Sequence, residues 1–333
     1  MSHVHALGSG VSQAIGTGGR DLSQEVGGIT AGLALDLLRR DPETRTIVLV
    51  SKPPAPEVAA RLLALARTTD KPVVVYFLGA PLPGRRIGNL RFAASLSEAA
   101  EMAVGAGLVP AREGASPSPT FRPGKIRGLF SGGTLAHEAF LGLSSVVSHD
   151  RFEILDLGAD EYTVGRLHPM IDQDLRRRRL RQEAADPQVG LILLDVVLGE
   201  GAHADPAGEL APAIAEAREA GVGVAAVVIG TDEDPQDLAQ QIETLERAGA
   251  RVVRTVGELV DCAVRGLEGS REIAGVPIPL DALQPPIAAV NVGLETFYDS
   301  LLAQGARAVH VEWQPPAGGN ERLAGILARM KSR

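Results

Sequence analysis

Three stretches of this chain combine residue types that can do chemistry. GTGGRD (Gly16–Asp21) sets three glycines ahead of a helical pattern. Backbone N–H groups converging there, at the positive end of a helix, favour an anion. FSGGTLAHEA (Phe130–Ala139) repeats the arrangement after a strand, with Ser131 and Thr134 adding hydroxyl donors. Gly18, Gly19, Arg20 and Asp21, with Ser131, Gly132, Gly133, Thr134 and His137, are the candidate phosphate- and substrate-binding residues. DEYTVGRLHPMID (Asp160–Asp172) is the densest polar stretch. Arg166 suits a bidentate grip on carboxylate or phosphate, and His168 suits proton exchange near neutral pH. Asp160, Glu161 and Asp172 would orient them, so His168, Arg166, Asp160 and Glu161 form the catalytic candidates. His137 equally reads as a buried helix histidine, and His203 and Asp205 follow a strand, where open α/β sheets place ligands.

Other chemistries find less support. No H-x-x-x-H, Cys-His or clustered-carboxylate pattern points to a metal. The single cysteine, Cys262, allows no internal disulfide and reads as a small core residue. The net charge is −8, aromatics are 3% of residues, and no basic stripe is interleaved with them, so nucleic acid is not an expected partner. The run Arg176–Arg179 with Arg181 reads as a solvated helix face. No apolar run approaches the ~18 residues of a membrane span, and no basic-then-apolar leader opens the chain. The expectation is a cytoplasmic protein with no membrane partner.

These loops need a frame, and the sequence predicts an α/β one. TIVLVSK and KPVVVYFLGA are short, continuously apolar runs of the kind covered on both faces in a parallel sheet, with a helical pattern between them. KIRGLF, EILDLG, GLILLDVVLG and GVGVAAVVIG predict further strands. SQEVGGITAGLALDLLRR reads as a helix stopped at Asp41-Pro42, and a second helix stops at Asp186-Pro187, 186 − 41 = 145 residues on. The matching order of units predicts a duplication: two flavodoxin-like parallel-sheet domains in tandem plus a small C-terminal βαβα extension. The boundaries expected are 1–113 for the first domain, 114–124 for a proline-rich linker, 125–270 for the second and 271–333 for the extension.

IGTGGRDLSQEVGGITAGLALDLLRRDPETRTIVLV with KPVVVYFLGAPLPGRRIGN resembles the ligase domain of the succinyl-CoA synthetase alpha subunit. GLFSGGTLAHEAF with DLGADEYTVGRLHPMID resembles the FdrA family, in which a second domain similar to the carboxyl domain of the synthetase beta subunit follows the first. The resemblance implies a phosphorylated histidine directly after the PGRRIG motif, where this chain has Asn89, and a supporting glutamate where it has Ser51-Lys52. An amide cannot form a phosphoimidazole, so Asn89 marks a degenerate phosphohistidine position. The family's longer members also carry an N-terminal CoA-binding domain, and this stretch begins after it, so CoA and nucleotide are not expected ligands here.

The resemblance therefore implies, first, a subunit of a multi-subunit carbamoyltransferase acting on oxamate in allantoin and purine catabolism. It would bind phosphate or carbamoyl phosphate and a small carboxylate with no cofactor, beside partner subunits of the same pathway, and leaves room for a homo-oligomer. The alternative is a subunit of an NDP-forming acyl-CoA synthetase, a ligase. A non-catalytic scaffold or regulatory subunit is the third reading.

Overall fold

The computed structural model describes residues 1–105, 121–268 and 288–312. Residues 1–270 and 271–333 separate into two compact units, each taken here by itself.

The first unit holds two sheets. The leading one is built from α1 (Ser2–Ala6), α2 (Ile29–Arg40), β1 (Ile47–Ser51), α3 (Pro56–Ala66), β2 (Val73–Phe77), β3 (Arg86–Ile87), β4 (Leu90–Phe92) and α4 (Leu96–Val104). Its order is β1-β2-β4-β3, parallel except that β3 turns back antiparallel to β4. Local chemistry marks the elements. Pro56 starts α3, where its missing N–H is one that no helix uses. Ser95 caps α4 by accepting the Glu98 N–H at 3.1 Å. α2 ends before Pro42 as expected, but it starts only at Ile29, because Ser23–Gly28 forms turns and Gly27 and Gly28 both have left-handed backbones.

The second sheet comprises β5 (Lys125–Phe130), α5 (Gly133–Ser144), β6 (Phe152–Asp156), α6 (Asp160–Thr163), α7 (Asp174–Ala185), β7 (Val189–Val197), α8 (Pro206–Glu219), β8 (Gly223–Ile229), α9 (Leu238–Ala248), β9 (Arg251–Val253) and α10 (Val256–Glu268). All pairs are parallel in the order β6-β5-β7-β8-β9, the 2-1-3-4-5 order of flavodoxin-like folds. β7 is buried along nearly its whole length, as its unbroken apolar run requires. One core packs α7, α8 and α9 on the sheet through Leu180, Leu194, Leu210 and Leu245. The other packs α5 and α10 through Phe130, Ala139, Leu193 and Leu259.

The α/β class with parallel sheets is what the structure shows, and the two sheets differ in extent. The leading sheet has three parallel strands, corresponding to β7, β8 and β9. Among the described residues no strand precedes Gly16–Asp21, so that loop corresponds in order to the stretch before α7 and not to Phe130–Ala139. The expected linker also ends earlier than Gly124. Phe121 packs into the second core, and Arg122 donates from Nε to the Val189 carbonyl at 2.8 Å. The rest of that linker, 114–120, lies outside the described residues. The second unit shows β10 (Ala288–Val292) and β11 (Arg307–Val311) paired in parallel through α11 (Glu295–Ala303). The last helix of the expected βαβα extension lies outside the described residues.

One arginine of the 176–181 run is not solvated. Arg176 is fully buried, one helical face with Leu180, and its Nη2 reaches Asp195 Oδ1 at 3.0 Å and the Leu129 carbonyl at 3.2 Å. Gln173 Oε1 takes a further N–H at 3.1 Å. Burial lowers the guanidinium's proton affinity while Asp195, itself sealed from water, raises it. Removing one partner of such a pair strands the other charge. Arg176→Ala is expected to cost about 3–5 kcal/mol, read from urea denaturation, while Arg178→Ala on the exposed face changes stability by no more than about 0.5 kcal/mol.

Candidate functional site

Three groups meet at the carboxyl end of the second sheet. β5 delivers Ser131 and Gly132 into the turn before α5, but their N–H groups are taken. Ser131 N–H donates to Asp195 Oδ1 at 2.7 Å, Gly132 N–H to Oδ2 at 2.8 Å, and Ser131 Oγ to Oδ2 at 3.0 Å. The carboxylate of Asp195 thus fills the place expected of a bound phosphate, which reassigns Ser131 and Gly132 to internal roles. The sequence reading gave neither Asp195 nor Arg176 a site role.

The open chemistry lies one strand outward. A cleft of about 210 Å³ is lined by Lys52, Gly133, Ala136, His137, Phe140, Ile154 and Asp156. Lys52 follows β1, Asp156 ends β6, and His137 sits one turn into α5. A Cβ at position 133 would stand 2.5 Å from Asp156 Oδ2, so only glycine lets that carboxylate approach the start of the helix. Together they offer a cation, an imidazole, a carboxylate and a helix N-terminus, enough to hold a small anion and move a proton beside it. Lys52 and Asp156 both stand where strands end, the position signal that sequence reading left unused. A larger hollow of about 350 Å³ where α1 meets the ends of β7 and β8 has no lysine or arginine in its lining.

His168 is half-buried. Its Nδ1 accepts the Met170 N–H at 3.2 Å, which assigns the ring proton of the neutral form to Nε2. A Cβ on Gly158 would lie 2.6 Å from that Nε2 and 2.5 Å from the Ser131 carbonyl, so Gly158 lets the two turns close on each other. Asp160, Glu161, Arg166 and Thr134 are exposed, as is Asp172, whose carboxylate accepts the Asp174 N–H at 2.9 Å. Asp205 is occupied as the cap of α8, accepting from Gly208 N–H and from Gln241 Nε2.

Residues 129–264, the stretch holding α5, Asp156, His168 and the Arg176–Asp195 pair, match the family model described as CoA-ligase. The chain carries a CoA-ligase domain. It is 38% identical over 287 residues to YahF of Escherichia coli (strain K12), itself uncharacterized, with 74% of this chain and 55% of YahF covered. The chain thus spans about half the length of the curated relative it matches. Among solved structures, PH0766 from Pyrococcus horikoshii OT3 matches with TM-score 0.35 at 16% identity, covering 73% of this chain and 56% of that one. The dinucleotide-forming acetyl-coenzyme A synthetase 1 of Ca. Korarchaeum cryptofilum, in complex with phosphate and ADP, matches with TM-score 0.36 at 14% identity, covering 74% and 59%. Likeness of that size bears on neither substrate nor site.

The sheet ahead of the CoA-ligase domain corrects two expectations. Asp21 does not wait for a substrate. Its Oδ1 accepts the Thr30 N–H at 2.9 Å and its Oδ2 the Ala31 N–H at 2.8 Å, so this buried carboxylate caps α2 from nine residues away. Burial pushes its carboxyl up, but the Ala31 and Thr30 donors outweigh this and hold it below the usual range. Gly18, Gly19 and Arg20 are exposed, and no hydrogen bond or ion pair among the described residues joins Gly16–Asp21 to Ser131–His137. Asn89 is likewise structural. Its Nδ2 faces the carbonyls of Ala66 (2.9 Å), Thr69 (2.9 Å) and Lys71 (3.1 Å), and its own carbonyl accepts from Val73. Val73 opens β2 whereas Ser51 pairs with Phe77 at its close, so Asn89 and Lys52 lie at opposite ends of the sheet. The short β3–β4 turn places it there, and Asn89 is a clasp, not a vacated phosphohistidine position facing the cleft.

The CoA-ligase domain touches that sheet through Glu138, next to His137. Glu138 Oε1 accepts the Leu96 N–H at 2.7 Å and lies 3.5 Å from the Tyr76 hydroxyl, while Oε2 is buried without a partner. Desolvation pushes the Glu138 carboxyl up, against the pull of Leu96 and Tyr76, and burial also raises the Tyr76 phenol. A carboxyl raised on folding favours the fold fully below its unfolded value, and this contribution fades as pH climbs through the raised one. Glu138→Gln is therefore expected to stabilise the protein at neutral pH and to lose that advantage near pH ~4, measured by thermal melts across pH. Asp21→Ala should cost about 1 kcal/mol by loss of the cap and leave phosphate affinity unchanged in calorimetry.

Proposed function

We propose that the chain is a subunit of a CoA-ligase-type enzyme related to the NDP-forming acyl-CoA synthetases, with the α5 cleft holding the phosphate end of a small activated acyl group. The observation that carries this reading is the meeting of Lys52 and His137 at the start of α5, in contact with the CoA-ligase domain. The Lys52 ammonium and the helix N-terminus at Gly133 and Thr134 would balance the phosphate charge. In this reading His137 would exchange a proton or accept a phosphoryl group, with His168 as the second candidate. Arg166, exposed on the loop after α6, would grip a substrate carboxylate, with Asp160 and Glu161 orienting it. CoA and nucleotide binding would fall to partner subunits.

A second reading, an FdrA-like carbamoyltransferase subunit, is favoured by Asp156. A carboxylate beside an anion site matches the N–H groups of a carbamoyl phosphate, which an acyl phosphate lacks. This reading needs no phosphorylated residue, which agrees with the structural role of Asn89.

Incubation with labelled ATP and partner subunits separates the two. Acid-labile label lost in His137→Ala, and not in His168→Ala, supports the ligase with His137 as acceptor. Unlabelled protein that forms carbamoyl phosphate from oxalurate and phosphate supports the transferase. In either case Lys52→Ala is expected to weaken phosphate binding roughly tenfold or more, since a hydrogen bond to a charged group contributes about 1.5–3 kcal/mol. Unchanged affinity in calorimetry would remove the cleft from the mechanism.

A further inference from the structure

α5 connects β5 to the parallel strand β6, so it runs back against both. Gly133, Ala136, His137 and Phe140 stand three or four residues apart on it and share the face that lines the α5 cleft. From Gly133 to Phe140 this face extends about 10 Å, at ~1.5 Å per residue. β6 lines the cleft as well. Ile154 and Asp156 point to the α5 side, while Leu155 between them packs into the other core.

Both linings change character in the same direction. At the carboxyl end of β6 they are polar, with Asp156 against Gly133. Further back they become apolar, with Phe140 on the helix and Ile154 on the strand. Phe140 is 38% exposed, yet its ring is braced, with centroids 5.8 Å from both Phe152 and His149. Ile154 leans over β5 where residue 128 is glycine, and a Cβ there would overlap its Cδ1. Two apolar side chains are thus fixed in place with part of their surface open.

We infer that Phe140 and Ile154 select the acyl group, favouring a short apolar chain over one that ends in a second carboxylate. This rests on the reading of the cleft as a phosphate site. Lys52 is the single lysine or arginine among the described lining residues, and the phosphate takes it. A carboxylate against Phe140 and Ile154 would lose water with no donor in exchange, whereas a methyl group there leaves water favourably. At about 210 Å³ the cleft is smaller than the ~300–1,000 Å³ of sites for drug-sized ligands, so the chain behind the phosphate is short.

Three probes test this by calorimetry on the full chain: methylphosphonate, 3-methylbutylphosphonate and 3-phosphonopropanoate. The last two have the same branched outline and differ in whether the tip is apolar or charged. The expected result is that 3-methylbutylphosphonate binds roughly tenfold more tightly than methylphosphonate, and 3-phosphonopropanoate no more tightly. Phe140→Ala should bring the two long probes to within about twofold of each other. Phe140→Arg should reverse their order, a gain that a misfolded chain could not show. Wild-type protein binding 3-phosphonopropanoate as tightly as its apolar counterpart would overturn the inference, as would a preference that survives Phe140→Ala. If methylphosphonate still binds in a Lys52-dependent way, only the assignment of the chain falls. If methylphosphonate does not bind at all, the phosphate reading of the cleft falls with it.

Discussion

A guanidinium and a carboxylate, both cut off from water, set what the second sheet can do. Arg176 on α7 and Asp195 on β7 meet at the point where the strand order reverses, and Asp195 also collects the N–H groups of Ser131 and Gly132. Open α/β sheets ordinarily receive a ligand at this point. Charges so deeply buried are tolerable only while every partner is present, so the turn before α5 is committed to the fold. The accessible chemistry moves outward to the end of β6, where Asp156 meets Gly133 and His137, and Lys52 arrives from the neighbouring sheet.

The leading sheet follows the same logic. Asp21 supplies the negative charge at the start of α2, so the glycine loop before it has no vacancy at that helix. Asn89 ties the β3–β4 turn to the end of α3 and has no free donor for chemistry. In both sheets an internal carboxylate stands where a bound anion was expected. An anion site and a capped helix start demand the same donors, and the acidic residue nearest in space decides between them.

Glu138 and Lys52 show how the two sheets depend on each other. Glu138 crosses from α5 to the start of α4 and the face of β2, at the cost of a half-satisfied buried carboxyl. Lys52 crosses the other way and gives the cleft its lysine. The site is therefore shared between the two sheets.

Much of the frame was legible in the sequence. Unbroken apolar runs such as GLILLDVV read as strands covered on both faces, and the Asp-Pro pairs stop helices by local sterics. The glycines at 132 and 133 were legible as a tight turn, whereas Gly158 was read as the end of a strand. The roles of the polar residues were not. Arg176 looked like its neighbours in a basic run, though its spacing with Leu180 and Ala184 held the hint that it faced inward. The functions of Asp21, Asp195, Asn89 and Lys52 depend on which groups lie within about 3 Å, and those groups come from segments far apart in the chain. Backbone propensity and apolar period are local properties, so the sequence alone determined the elements and their class. The partner of each charge is a property of packing, so only the tertiary structure decided which of them hold the fold and which face the cleft.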